Sequence, residues 1–176
     1  MNGHPGGKAH TRRMLELAAL PRGARILDMG AGAGETLALL RESGFDAAGI
    51  DLAPRAPEVL QGDFLAAPFP DGSFDAVISQ CAFFVSGDAP GALREANRLL
   101  KSGGRLLLSD VFFEAPEPLL QSAGFAVLRA EDVTPQWREY YLEALWRDDA
   151  PCCAVPKGKS SYWLLIAGKE KQDGHL

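Results

Sequence analysis

Along the chain, short apolar runs alternate with segments whose apolar residues recur at helical spacing. In 8–20, Met14, Leu15, Leu17 and Ala18 repeat with that spacing, and Pro21 and Gly23 end the segment. "ARILD" is short, apolar and flanked by Gly23 and Gly30, which predicts a buried strand. The next segment, 35–43, predicts a helix that starts after Gly34, with Gly44 where a C-terminal cap belongs. "DAAGID" predicts a second strand ending on Asp51, "APEVLQGD" a short third, "FDAVIS" a fourth and "GRLLLSD" a fifth. Between the last two, "PGALREANRLLKSGG" puts Leu93, Ala96, Leu99 and Leu100 on one face, with Pro90 near its start and Gly103 and Gly104 past its end. Further on, "GFAVLRAEDV" and "SSYWLLIAGK" read as strands. The 26 residues 134–159 between them hold an aromatic-rich helix around "PQWREYYLEALW".

Strands alternating with helices predict an α/β fold: a mostly parallel sheet with right-handed crossovers and helices on both faces. The last two strands finish that sheet, with the inserted helix at one edge. One crossover is unusual. Only about eight residues, "DLAPRAPE", two of them proline, join the second and third strands, where a parallel crossover normally needs a dozen or more. That connection is read as a helix reduced to a turn.

The stretch "ILDMGAGAGETLALL" carries the candidate chemistry. A strand feeding a glycine-rich turn and a helix N-terminus presents backbone N–H groups and the helix dipole to a polar ligand. The dinucleotide fingerprint G-x-G-x-x-G/A fails in both frames, because its third small position falls on Glu35 or on Leu37. The Gly-Lys-Ser/Thr ending of a phosphate-binding loop is missing too. What stands there is Asp28-x-Gly30-x-Gly32-x-Gly34. An acid at the strand's end suits a cationic ligand better than a pyrophosphate, which it would repel.

Four further segments follow in order: Asp51 at the end of strand two, "GDF" at 62–64, "FPDGSFDAVIS" leading into strand four, and "ANRLLKSGGRLLLSD" before strand five. With the glycine stretch, this series resembles the class I S-adenosylmethionine-dependent methyltransferases, in the small-molecule branch of type 11. The resemblance covers roughly 8–110 and, more weakly, the last strand pair; Ser102 replaces the proline of the family's L-K-P-G-G segment. It implies a Rossmann-like fold with a seven-stranded sheet and an antiparallel C-terminal strand. It also implies S-adenosyl-L-methionine as cofactor, with S-adenosyl-L-homocysteine as product. Asp51 is then the acid that accepts the ribose hydroxyls, Leu52 lies beside the adenine, and Asp63 and Phe64 meet the adenine amino group and ring. Together Asp28, Gly30, Gly32, Gly34, Asp51, Leu52, Asp63, Phe64 and Gln80 are expected to surround the cofactor. The whole of 1–176 is read as one methyltransferase domain. Its parts are a leader and helix (1–23), a cofactor-binding core (24–115), and a C-terminal strand pair (116–176) with the inserted helix near 134–159.

Composition narrows the acceptor. A net charge of -5 provides no basic footprint for nucleic acid. "SQCAFFVSGD", after strand four, lacks both the Asn/Asp-Pro-Pro-aromatic motif of exocyclic-amine methylators and the Pro-Cys of cytosine C5 enzymes. The expected acceptor is a small molecule. No apolar run is long enough to span a bilayer, the first ten residues lack the apolar core of a secretory signal, and three cysteines suit reduced thiols in a cytoplasm. A monomer or homodimer is expected.

Methyl transfer relies on positioning and need not advertise a catalytic side chain. Cys81, His10 and Tyr141 are candidates for a base, and no metal site is expected. Cys81 with Cys152 and Cys153 invites a metalloid or thiol methyltransferase, but adjacent cysteines in a strand point to opposite faces. Trp137, Tyr140, Tyr141 and Trp146 line a pocket or pack the inserted helix; positions 137, 141 and 145 share one helical face. His4 and His175 lie near the ends and carry little information, although 4–11 is placed to fold over the cofactor as a lid. The alternatives are a non-catalytic S-adenosylmethionine-binding protein, a nicotinamide-dependent oxidoreductase and an interaction module using a sheet face left bare by the short crossover.

Overall fold

The computed structural model describes residues 4–147 and 159–170. Among them one sheet of seven strands runs in the order β3-β2-β1-β4-β5-β7-β6. Its strands are β1 (Arg25–Met29), β2 (Asp46–Asp51), β3 (Leu60–Gln61), β4 (Phe74–Gln80), β5 (Leu100–Phe112), β6 (Phe125–Asp132) and β7 (Ser161–Lys169). The first five pair in parallel, while β7 lies antiparallel between β5 and β6. The helices are α1 (Gly7–Ala18), α2 (Glu35–Glu42), α3 (Ala89–Leu99), α4 (Pro116–Ser122) and α5 (Thr134–Trp146).

Buried strands show side chains to both faces, and here each face has its own core. On one side Ile26, Ile78 and Leu107 pack against Met14 of α1, Leu37 and Leu40 of α2, and Trp137 and Tyr141 of α5. On the other, Leu27, Val77, Leu106 and Leu108 pack against Leu93, Ala96 and Leu99 of α3 and Leu120 of α4. The two clusters interleave residue by residue along β4 and β5, which is why those strands read as unbroken apolar runs.

The reduced second crossover is real: no helix stands between β2 and β3, and β3 is two residues long. One element was not expected. Helix α4 has only seven residues, two of them proline, and too few turns to show a helical period. It closes the crossover from β5 to β6 and buries Leu120.

A cleft at the ends of β1, β2 and β4

A cleft of about 900 Å³ opens at the carboxyl ends of β1, β2 and β4. This is where parallel α/β sheets bind ligands, outside the strand ends where the strand order reverses. Of the nine residues expected around a cofactor, eight line it: Asp28, Gly30, Gly32, Asp51, Leu52, Asp63, Phe64 and Gln80. Gly34 is set back. It begins α2 in a left-handed conformation (φ 76°), and a Cβ there would lie 3.4 Å from both Ala56 and Glu58.

The turn after β1 is held by its neighbours. The N–H groups of Gly30 and Ala31 both donate to the Ile50 carbonyl, at 2.9 and 3.1 Å. Gly30 has φ 90°, and a Cβ on it would meet the Ala82 Cβ at 2.3 Å, so both conformation and space require glycine. The Gly32 N–H donates to Asp51 Oδ2 and the Ala53 N–H to Asp51 Oδ1, each at 2.9 Å. Asp51 therefore organises the turn, and each of its oxygens keeps a further acceptor site beyond its one backbone bond. Asp63 is committed on one oxygen only, accepting the Leu65 N–H at 2.8 Å on Oδ1.

Asp28 differs. It is buried, and its Oδ2 has no hydrogen-bond partner. Burial and, second, the charge of Asp51 push its carboxyl up from 3.8 to about 7. The cleft thus holds four carboxylates, Asp28, Glu35, Asp51 and Asp63, against a single guanidinium, Arg55, among its lining residues.

Gln80 sits in the centre of a hydrogen-bonded clasp. Its Oε1 accepts from the hydroxyls of Thr36 (3.0 Å) and Thr11 (3.2 Å), while its Nε2 lies 3.0 Å from His4 Nδ1. His4 Nε2 is 3.3 Å from the Thr11 hydroxyl. Nδ1 also lies 3.1 Å from the Pro5 carbonyl, which would accept from a protonated Nδ1. A proton on Nε2 satisfies every member at once: Gln80 donates to Nδ1, Nε2–H donates to Thr11, and Thr11 donates to Gln80. We assign that neutral tautomer. Burial drives the His4 pKa down to about 4, against a smaller opposing pull from Pro5. The expectation that His4 carries little information is corrected: it lines the cleft and ties the segment before α1 across it. The sequence places 4–11 beside the cofactor but gives no signal for the Gln80 partner, 76 positions away.

The three candidate bases part company. Cys81 lines the cleft in a left-handed conformation (φ 59°), its Sγ 3.1 Å from the buried Tyr162 hydroxyl. That hydroxyl is also 2.7 Å from Ser109 Oγ, and burial raises its pKa well above the ordinary range. His10 does not line the cleft. Its ring lies where a Cβ on Gly6 would be, and its buried Nδ1 has no partner. Tyr141 is in the core, edge-on to Trp137 at 5.4 Å, and Trp137 stacks on Tyr162. So Trp137 and Tyr141 pack α5, Tyr140 is half-buried, and Trp146 is exposed. Cys152, Cys153 and His175 lie outside the described residues. Among the described residues no helix is long and apolar enough to cross a membrane.

One residue that motif reading passed over is Asp110, at the end of β5. It is buried, and it accepts the Phe84 N–H at 3.1 Å and the Val111 N–H at 2.8 Å. As Asp51 does for the glycine turn, Asp110 fixes the loop after β4.

Comparison with known proteins agrees with this geometry. Residues 27–108, from β1 to β5, match the family described as a methyltransferase domain. That match, with relatives and solved structures named as methyltransferases, supports a class I S-adenosylmethionine-dependent methyltransferase. It is 39% identical over 123 residues to a demethylmenaquinone methyltransferase of Thermus thermophilus, covering 61% of this chain and 54% of that protein. An uncharacterized methyltransferase of Geobacillus thermodenitrificans is 28% identical over 183 residues, 90% of this chain and 83% of its own length. The chain spans about half the length of the demethylmenaquinone methyltransferases of Thermus thermophilus and Tropheryma whipplei that it matches. Among solved structures, a phosphoethanolamine N-methyltransferase of Haemonchus contortus in complex with phosphomonomethylethanolamine and S-adenosylhomocysteine superimposes with a TM-score of 0.76. It is 19% identical and covers 96% of this chain and 54% of that one. At that identity the likeness concerns the fold.

Proposed function

We propose that the protein transfers a methyl group from S-adenosylmethionine to a small-molecule acceptor. One observation carries the reading: a buried carboxylate, Asp28, with an unpartnered oxygen, lines the same cleft as the glycine turn and Asp51. A buried acid without a partner is costly in the free protein, and a ligand with a positive charge relieves that cost. S-adenosylmethionine has a sulfonium and an ammonium group and no phosphate. The four cleft carboxylates suit it and would repel the pyrophosphate of a nicotinamide dinucleotide.

In this reading Asp51 accepts the ribose hydroxyls with the lone pairs its backbone bonds leave, and Leu52 and Phe64 flank the adenine. The second oxygen of Asp63 receives the adenine amino group. Gly30, Gly32 and Gly34 shape the turn, and Asp28 holds the cationic end. A bound cofactor would supply an electrophilic methyl group on sulfur, with S-adenosylhomocysteine as the product left after transfer to the acceptor. The chain's task is to align donor and acceptor and exclude water. Cys81 and Gln80 stand at the β4 end, where the acceptor enters.

The similarity to methyltransferases named for demethylmenaquinone and for sarcosine and dimethylglycine favours a small acceptor. The acidic cleft disfavours a nucleic-acid phosphate backbone. We place the protein in the cytoplasm as a monomer or homodimer, and read 1–176 as one domain. A second reading, a binding protein without catalysis, is favoured by one observation: His4 already occupies the β4 side of the cleft.

Calorimetric titration tests the reading. Micromolar binding of S-adenosylmethionine and S-adenosylhomocysteine, with none of NAD, is the expected result. Silence with both, on folded protein, rejects it. Binding without S-adenosylhomocysteine release from any acceptor favours the second reading.

A further inference from the structure

The short connection between β2 and β3 leaves a cation over the glycine turn that follows β1. A crossover helix would carry the chain away from the strand ends and along a face of the sheet. The turn "DLAPRAPE" stays above them instead. Its backbone is stiff. Pro54 has a fixed φ just before Arg55, and Pro57 biases Ala56 away from helical conformations. Three N–H donors pin it further. That of Ala53 meets Asp51 Oδ1 at 2.9 Å, that of Arg55 the Gly32 carbonyl at 2.9 Å, and that of Val59 the Ala56 carbonyl at 3.2 Å.

The Arg55 side chain is not tied down in this way. It lines the cleft, and its Nη2 lies 3.5 Å from where a Cβ on Gly32 would stand. Asp51 Oδ2 lies 4.0 Å from that same point, but its carboxylate keeps to its two backbone amides. Among the described residues the guanidinium has no hydrogen bond and no ion pair. Its planar fork of donors, suited to gripping a carboxylate by both oxygens, is therefore open to a ligand.

A cation here answers a need of the cofactor. Asp28, Glu35, Asp51 and Asp63 suit the sulfonium and ammonium of S-adenosylmethionine and oppose its carboxylate. The carbon that bears the ammonium also bears the carboxylate, so the two charges enter together and need partners of opposite sign. Asp28 precedes the turn and Arg55 covers Gly32 within it, which gives the turn one partner for each.

We infer that Arg55 binds the carboxylate of the cofactor's amino-acid end and makes the site select a cofactor that carries it. The inference rests on the methyltransferase reading and adds a binding residue to it. The amino-acid end then lies over the turn from Gly30 to Gly32, with its ammonium toward Asp28. Lysine would serve less well, because a point charge does not engage both carboxylate oxygens at once. A carboxylate on the acceptor is the other anion of this chemistry, and the test separates the two.

Decarboxylated S-adenosylmethionine keeps the sulfonium and the ammonium and lacks only the carboxylate. It and S-adenosylmethionine are each titrated calorimetrically into full-length protein with no acceptor present. Wild-type protein should bind S-adenosylmethionine at least about tenfold more tightly than the decarboxylated form, a difference of about 1.4 kcal/mol. Arg55→Gln should shrink that preference to about twofold or less by weakening S-adenosylmethionine alone. Arg55→Lys should lie between. Unchanged affinity for the decarboxylated form shows that each variant is folded, and the backbone bond from residue 55 to Gly32 needs no side chain. If wild-type protein binds neither ligand, the methyltransferase reading falls and this inference with it. If it binds, three results overturn the inference alone: no preference for the carboxylate in wild type, equal weakening of both ligands by Arg55→Gln, or a preference that Arg55→Gln leaves intact. In the last case Arg55 is left for an anion on the acceptor, and its assignment to the cofactor fails.

Discussion

The N–H of Gly32 donates to Asp51 Oδ2 at 2.9 Å, so the acid ending β2 holds the glycine turn that follows β1. Asp51 is thus both a wall of the cleft and a strut of the turn. Asp51→Ala removes a charged acceptor from two backbone amides. Hydrogen bonds to charged groups are worth about 1.5–3 kcal/mol each when buried, and here exposure reduces that. We expect a loss of about 1–2 kcal/mol of stability by urea titration. S-adenosylhomocysteine affinity should fall at least about tenfold, equivalent to about 1.4 kcal/mol. Asp51→Asn should lie between, since its amide oxygen still serves one donor. Unchanged affinity in both variants would remove Asp51 from the cofactor's surroundings.

Asp28 sets a pH dependence. Its pKa is raised on folding from 3.8 to about 7, so between those values the folded, ligand-free protein holds the extra proton. The stabilisation from that proton is complete below about 3.8, declines as pH rises and is gone above about 7. Above pH 7 the free carboxylate waits for a cation. S-adenosylmethionine should therefore bind more tightly at about pH 8 than at about pH 6, and Asp28→Asn should flatten that dependence. Calorimetry at both pH values decides it; equal slopes in the variant and the parent would mean another group is responsible.

The Gln80–His4 clasp responds in the opposite range. The His4 pKa falls on closure from 6.5 to about 4, so the closed segment binds fewer protons than the open one. Its stability is complete above about 6.5 and is lost progressively as pH falls toward 4. From about pH 7.5 to about pH 5 the opening equilibrium should rise about thirtyfold. The Gly7 amide, which donates to the His4 carbonyl at 3.0 Å, reports opening through hydrogen exchange corrected for intrinsic rate. Gln80→Leu should abolish the difference. The same protection at both pH values would show that His4 does not control the segment.

Cys81 has φ 59°, a conformation that costs an L-residue about 1–2 kcal/mol. Cys81→Gly removes that cost while losing the thiol contact with Tyr162, so its midpoint of unfolding should stay near wild type. Cys81→Val keeps the cost, adds branching at Cβ and should lose about 2 kcal/mol or more. If Val is tolerated as well as Gly, the backbone at 81 is not under strain.

Gly30 and Ala82 form a matched pair, because a Cβ on Gly30 would sit 2.3 Å from the Ala82 Cβ. Gly30→Ala should cost about 2–4 kcal/mol, part from backbone conformation and part from overlap. Adding Ala82→Gly should restore only the overlap part, which a double-mutant cycle isolates. Full additivity would mean that the turn moves away from the loop instead.

Much of the fold was legible because parallel strands buried on both faces must be apolar throughout, and helices between them must be amphipathic. Ile26 and Leu27, neighbours in sequence, go to different cores, so "ARILD" shows no alternation and still reads as a strand. Likewise the short "DLAPRAPE" correctly implied a missing helix. Helix α4 escaped because seven residues with two prolines carry no period. The cleft glycines were legible because a turn with positive φ demands glycine locally, whatever surrounds it, while Asp51 and Asp63 were named through the resemblance to the methyltransferase family.

By itself the sequence determined the order of elements, the two-faced core and the local chemistry at the ends of β1 and β2. These depend on neighbours a few residues apart. Only the tertiary structure decided which groups share the cleft: His4 against Gln80, Cys81 against Tyr162, Asp110 against the Phe84 amide, and Tyr141 withdrawn into the core. Those relations join residues 26 to 81 positions apart, or turn on which face of α5 meets the sheet. Packing of whole elements sets such contacts, and the order of residues along one chain does not encode them locally.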